Sequence, residues 1–199
     1  MNRKHELVHF SVLGLGILAS VTFASALIMS QLPARTATSA VTIGGPFTLS
    51  TPDGTTVTDQ TYRGKWLLVY FGYTFCPNSC PTTLLEVATA LKKLGLDAAQ
   101  VQPLFITVDP QRDTPKVMQD YVSSFNPAVI GLSGSPQAVE ATEKTFRVFA
   151  RKGQPQPDGD YSMDHSSIVY LMDKNGAFVE AFNVERSPEE AAKDLEKYL

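Results

Sequence analysis

Two cysteines and one histidine carry most of the chemistry this sequence can offer. The 199-residue chain has only Cys76 and Cys80 as thiols, four positions apart in Cys76-Pro77-Asn78-Ser79-Cys80-Pro81. A thiol at the start of a helix feels the positive end of the helix dipole and unpaired backbone N–H groups, which favour its thiolate. Three uses of the pair are open on spacing alone: a structural bridge, thiol–disulfide exchange, or metal ligation. A disulfide closing so short a loop contributes only about 2 kcal/mol by the chain-entropy relation. Exchange enzymes of the thioredoxin type carry Cys-x-x-Cys, so the extra residue shifts weight toward a metal. His165, in the polar stretch Tyr161-Ser162-Met163-Asp164-His165-Ser166-Ser167, is the one imidazole beyond His5 and His9. It reads either as a loop histidine bonded to a carbonyl or as a third ligand. Two thiolates and one imidazole suit a copper ion, with net charge −1 around Cu(I) and zero around Cu(II). Zinc calls for a fourth ligand, which only an Asp or Glu remains to supply.

Elements that place these residues can be read along the chain. Residues 66–73, WLLVYFGY, form the continuous apolar run of a strand buried on both faces, and it leads straight into the cysteines. After Pro81, Leu84, Leu85, Ala88, Leu91 and Leu94 make one helical stripe, with either Cys80 as N-cap and Pro81 as first residue, or a start at Pro77. A second buried strand spans residues 104–108. Three more helices announce themselves by a hydroxyl residue before proline, at Thr114-Pro115, Ser135-Pro136 and Ser187-Pro188, the last completed by Glu190 as a capping box. Phe47 to Leu49 and Val57 flank a Pro52-Asp53-Gly54 turn as an opening hairpin, and residues 167–172 and 177–182 flank Asp173-Lys174-Asn175-Gly176 as a late one. The order is hairpin, β, α, β, α, β, α, hairpin, α. It describes an α/β sandwich with a mixed sheet.

The N-terminal region is of another kind. No charged side chain occurs between Leu7 and Ala34, and residues 7–32 as a helix would reach about 39 Å, enough to span a roughly 30 Å hydrocarbon core. Arg3 and Lys4 before it place residues 1–6 in the cytoplasm by the positive-inside bias. Ala24-Ser25-Ala26 also has the form of a signal-peptide cleavage site, but the apolar run continues past it, which favours an uncleaved anchor. Residues 33–42 read as a linker and residues 43–199 as the folded domain. Setting aside Arg3, Lys4, Arg35 and Glu6 leaves 14 basic and 19 acidic side chains, a charge of −5 against −3 for the chain. That argues against a nucleic-acid partner or a basic lipid-binding face.

YFGYTFCPNSCPTTL (70–84), ITVDPQRDTP (106–115) and DYSMDHSSIVYLMDKNG (160–176), with GGPFTL (44–49) behind a single anchor, resemble the Sco/SenC proteins, copper-handling assembly factors of cytochrome c oxidase. The resemblance implies a thioredoxin-like fold and copper bound by Cys76, Cys80 and His165. It also implies delivery of copper to the dinuclear site of oxidase subunit II, reduction of that site's cysteines, or exchange with another copper chaperone. A bacterial inner membrane with the domain in the periplasm is the setting it implies, ahead of the mitochondrial intermembrane space. Asn78 stands where the family usually has Asp, and Phe75 where it often has His. Asp109 reads as a turn-former or as a residue supporting the site or a partner contact, Arg112 and Asp113 as turn residues, and Asp164 as a group that would orient His165. In the oxidoreductase alternative Cys76 attacks and Cys80 resolves. A copper or redox sensor is a third reading; a peroxidase fits the paired thiols poorly.

Overall fold

The computed structural model describes residues 42–125, 129–157 and 159–199. The expected anchor at 7–32 and most of the linker lie outside these residues. Among the described residues no helix is long and apolar enough to cross a membrane.

An opening hairpin pairs β1 (Thr48–Ser50) with β2 (Thr56–Thr58). The main sheet holds β3 (Trp66–Gly72), β4 (Val101–Thr107), β5 (Ile130–Leu132), β8 (Val169–Met172) and β9 (Phe178–Phe182), in the order β5-β4-β3-β8-β9. β3, β4 and β5 run parallel, β8 runs against β3, and β9 in turn runs against β8, so the sheet is mixed as its sequence pattern requires. Helices α1 (Ser79–Leu94), α2 (Pro115–Val122), α3 (Pro136–Phe146) and α4 (Pro188–Glu196) complete the sandwich. The three hydroxyl-proline starts all hold: Thr114, Ser135 and Ser187 each accept an N–H of the first turn, and Ser187 forms its capping box with Glu190.

β3 is central because both of its faces are apolar. Alternate side chains of a strand face opposite ways. Tyr70 stacks on Phe105 of β4, which meets Tyr121 of α2, whereas Phe71 packs against Phe146 of α3 and Tyr170 of β8. Leu68, Val69, Tyr70 and Phe71 are at most 1% exposed. A strand so enclosed holds its C-terminal end, where the cysteine loop begins, in a fixed position.

Three expectations need correction. Helix α1 starts at Ser79 with Asn78 as its N-cap, so Cys80 lies inside the first turn and is not the cap. Its buried stripe is Cys80, Leu84, Val87, Ala90, Leu91 and Leu94, while Leu85 is exposed and Ala88 half-buried. The shift follows from anchoring the helix at Cys80, which turns Leu85 outward. His165 is not in a loop: it ends β7 (Tyr161–His165), which pairs with β6 (Ala150–Pro155) in a separate two-stranded ribbon. Residues 150–155, ARKGQP, are mostly exposed and lack strand alternation, so the ribbon leaves no hydrophobic signature.

Candidate metal centre

The cysteine loop is a product of the strand that precedes it. At the end of β3, Gly72 passes so close to α1 that a Cβ there would stand 2.9 Å from Cys80 Sγ and 2.8 Å from the Phe105 ring. Only a glycine lets the first turn of α1 seat its thiol against the sheet. The chain then turns, with the Cys76 N–H donating to the Tyr73 carbonyl (3.2 Å). Cys76 Sγ in turn accepts the Cys80 N–H at 3.3 Å and lies 3.2 Å from the Ser79 hydroxyl. The N-cap residue Asn78 makes no side-chain capping bond. The sulfur of Cys76 therefore takes that place.

The two thiols are free and differ in environment. Burial pushes the Cys76 thiol up, but hydrogen bonds from Ser79 and from the Cys80 and Asn78 backbone outweigh it and leave it below its ordinary value. Cys80 is fully buried, and that burial pushes its thiol up to about 12 despite a bond from the Tyr73 backbone. The helix-dipole expectation thus holds for the thiol that caps the helix and fails for the one packed under it.

His165 reaches the pair from the β6–β7 ribbon. Its Nε2 lies 3.4 Å from Cys80 Sγ. Its Nδ1 is 3.1 Å from the Ser166 carbonyl, and because a carbonyl only accepts, Nδ1 carries the proton and Nε2 presents a lone pair toward the sulfurs. Burial holds the imidazole below its ordinary pKa, which keeps it neutral and ready to ligate. The rings of Tyr70 and Tyr73 stand edge-on to it, at 6.3 and 5.8 Å between centroids. One ligand atom from each of Cys76, Cys80 and His165 lies within 4.8 Å of the others, so the three can share one metal ion. They form the one such group of three or more Cys, His, Asp or Glu among the described residues.

The acidic residues singled out from sequence act through position. Asp113, fully buried, accepts from the Thr74 N–H (3.2 Å), the Thr74 hydroxyl (2.6 Å) and the Thr107 hydroxyl (2.5 Å), tying the cysteine loop to the end of β4. Asp109 is buried as well; it accepts from Arg112 Nε and from the Tyr161 hydroxyl (3.0 Å). Arg112 also binds Asp160 and the Tyr161 carbonyl, and lies 3.6 Å from the Tyr161 ring centroid and 4.8 Å from that of exposed Phe75. Asp109 and Arg112 thereby clamp the ribbon that carries His165. Asp164 does not orient His165: it pairs with Arg151 across the ribbon at 3.0 Å, facing solvent. Gly72, Ser79 and the two tyrosines escaped the sequence reading, since their roles are contacts across elements. Beside the cysteine loop a groove of about 620 Å³ is lined by Asn78, Ser79, Thr83, Glu86, Ser167 and Glu185.

This geometry can be set beside known proteins. The family model SCO1/SenC matches residues 35–199. The chain belongs to the SCO1/SenC family. The structure of Bradyrhizobium japonicum ScoI with copper bound shares 51% identity, covering 79% of this chain and 99% of that one, with a TM-score of 0.75. The mitochondrial SCO1 homolog 1 of Arabidopsis thaliana is 38% identical over 161 residues, 78% of this chain and 48% of its own length. BsSco, described as a member of the Sco family of cytochrome c oxidase assembly proteins with a disulfide switch, shares 25% identity at a TM-score of 0.63, over 79% of this chain and 94% of that one. The chain spans about half the length of the mitochondrial relatives it matches. The described domain has the mixed α/β, thioredoxin-like Sco fold.

Proposed function

We propose that this chain is a membrane-anchored copper carrier that assists assembly of the dinuclear copper site of cytochrome c oxidase subunit II. Its copper comes from, or passes to, that subunit or another copper chaperone. Residues 1–6 would lie in the cytoplasm of a bacterium, 7–32 in its inner membrane, 33–42 in a linker and 43–199 in the periplasm. The observation that carries the reading is the convergence of Cys76 Sγ, Cys80 Sγ and an imidazole nitrogen of His165 within 4.8 Å, from two elements far apart in sequence. The copper named for the Bradyrhizobium ScoI structure supports the choice of metal.

In this role the cargo is bound by displacing protons. Cys76 gives up its proton readily, while Cys80 releases its own only when a cation compensates the buried thiolate. Neutral His165 fills the third position through Nε2, its other nitrogen held by Ser166. Oxidation of the pair removes both anionic ligands, so the redox state of the thiols gates loading. The test is copper uptake by the full chain, held in detergent, before and after oxidation by diamide. The reduced chain is expected to take up one copper ion and the oxidised chain none, with uptake restored by reductant. Equal uptake in both states would contradict the thiolate site.

A second reading has its own support: Cys76 is the less buried sulfur and the one whose ionisation is favoured, with Cys80 behind it. In a thiol–disulfide exchange the Cys76 thiolate attacks one sulfur of a substrate disulfide, and the other leaves as a thiolate. Cys80, deprotonated, then attacks Cys76 Sγ and releases the second substrate thiol, leaving the protein oxidised by two electrons. Turnover of a disulfide peptide without copper would favour this reading.

A further inference from the structure

Tyr70 is packed into the metal site yet its hydroxyl has no assignment. The residue is 1% exposed, and its oxygen is buried with no hydrogen-bond partner among the described residues. Buried hydroxyls are seldom left so, and those that are call for an explanation. Its ring edge and Cys80 Sγ crowd the same point: a Cβ on Gly72 would lie 3.3 Å from Tyr70 Cε1 and 2.9 Å from that sulfur. The ring also meets His165 edge-on. Beyond burial, the polar side chains that act on the phenol are Cys80, the Thr83 hydroxyl and, more weakly, Cys76. A protonated thiol is a weak acceptor, whereas a thiolate is a strong one.

We propose that Tyr70 is a positioning residue of the metal site, whose hydroxyl donates a hydrogen bond to Cys80 Sγ when that sulfur ligates a metal ion. The inference rests on Cys80 being a ligand. It gives a hydroxyl that lacks a partner in good hydrogen-bond geometry a strong acceptor in the loaded state, so it stabilises the loaded site more than the metal-free fold. Donation lowers the energy of the sulfur electrons, which sets both the affinity for a soft cation and the energy at which sulfur transfers charge to Cu(II).

Tyr70→Phe removes the oxygen alone. Tyr121→Phe is the control, because its hydroxyl is also buried and unpartnered among the described residues but lies on α2 across Phe105. In the full chain, competition with a chromophoric Cu(I) chelator should show a fall of about 10- to 100-fold in affinity for Tyr70→Phe, as for removal of other groups supporting a ligand. The sulfur-to-Cu(II) absorption band should move to longer wavelength, and the melting temperature of the metal-free protein should stay level or rise. Tyr121→Phe should leave affinity and band in place. An unshifted band with parental affinity, equal losses in the two variants, or a lower metal-free melting temperature in Tyr70→Phe would each overturn the proposal. The same comparison with cadmium, another thiophilic ion, separates the two claims: a parent chain that bound cadmium but no copper would defeat the copper reading while still testing the hydroxyl.

Discussion

Cys80→Ser should abolish useful copper binding while leaving the fold in place. Four-ligand structural zinc sites are worth about 10–16 kcal/mol, so one ligand accounts for about 3 kcal/mol, or roughly a hundredfold in affinity. Replacing a soft thiolate by a hydroxyl at a copper site should cost at least that. Serine fits the space, because the position is at the first turn of α1 and the backbone N–H that binds Cys76 Sγ is retained. Competition titration should show the loss and circular dichroism an unchanged fold. The parent's affinity should also climb with pH through the neutral range. Burial raises the Cys80 thiol to about 12, so below that value the metal must displace its proton, and each unit of pH removes about a tenfold penalty. In Cys80→Ser that slope should flatten. Retained affinity with a parental pH slope would remove Cys80 from the site.

Asp113→Ala should be the most destabilising single change among the residues around the site. The substitution leaves the buried Thr107 hydroxyl and the Thr74 N–H and hydroxyl without their acceptor. At about 1–3 kcal/mol for each buried group left unpaired, a loss of about 3 kcal/mol or more is expected. For a domain of this size that lowers the melting temperature by about 6–12 °C. Because the bonds run from the cysteine loop to β4, copper affinity should fall with it. Asp113→Asn separates charge from hydrogen bonding. Burial raises the Asp113 carboxyl above its ordinary pKa, against the lowering effect of the Thr107 and Thr74 bonds. A folded pKa above the unfolded one means that the neutral carboxyl favours the fold: its contribution is fully present below the unfolded pKa and is lost as pH rises through the folded pKa. The neutral amide should therefore cost less than alanine. Thermal melting of the two variants decides it: equal losses would show that the negative charge itself holds the loop.

The parts of this protein that the sequence displayed are those governed by local rules. Three hydroxyl-proline pairs became three capped helices, because an N-cap needs only its own next turn. The unbroken apolar run at 66–73 became the central strand, since burial on both faces leaves no room for polar alternation. Rarity of type made Cys76, Cys80 and His165 visible as candidates. What stayed hidden depends on contacts between elements. The ribbon that presents His165 has no apolar face of its own and is held by Arg112 and Asp109 from another loop. The opposed behaviour of the two thiols follows from which sulfur caps the helix and which is driven against the sheet, a one-residue matter of where α1 begins. Gly72 reads as an interruption in a strand until the sulfur that fills its missing side chain is located.

X-ray absorption at the copper edge of the full, reduced and copper-loaded chain tests the central claim most directly. The account predicts a first coordination sphere of two sulfurs and one imidazole nitrogen, with the nitrogen missing in His165→Ala and one sulfur missing in Cys80→Ser. A copper ion surrounded by oxygen and nitrogen alone, or an imidazole contribution that survives in His165→Ala, would contradict it.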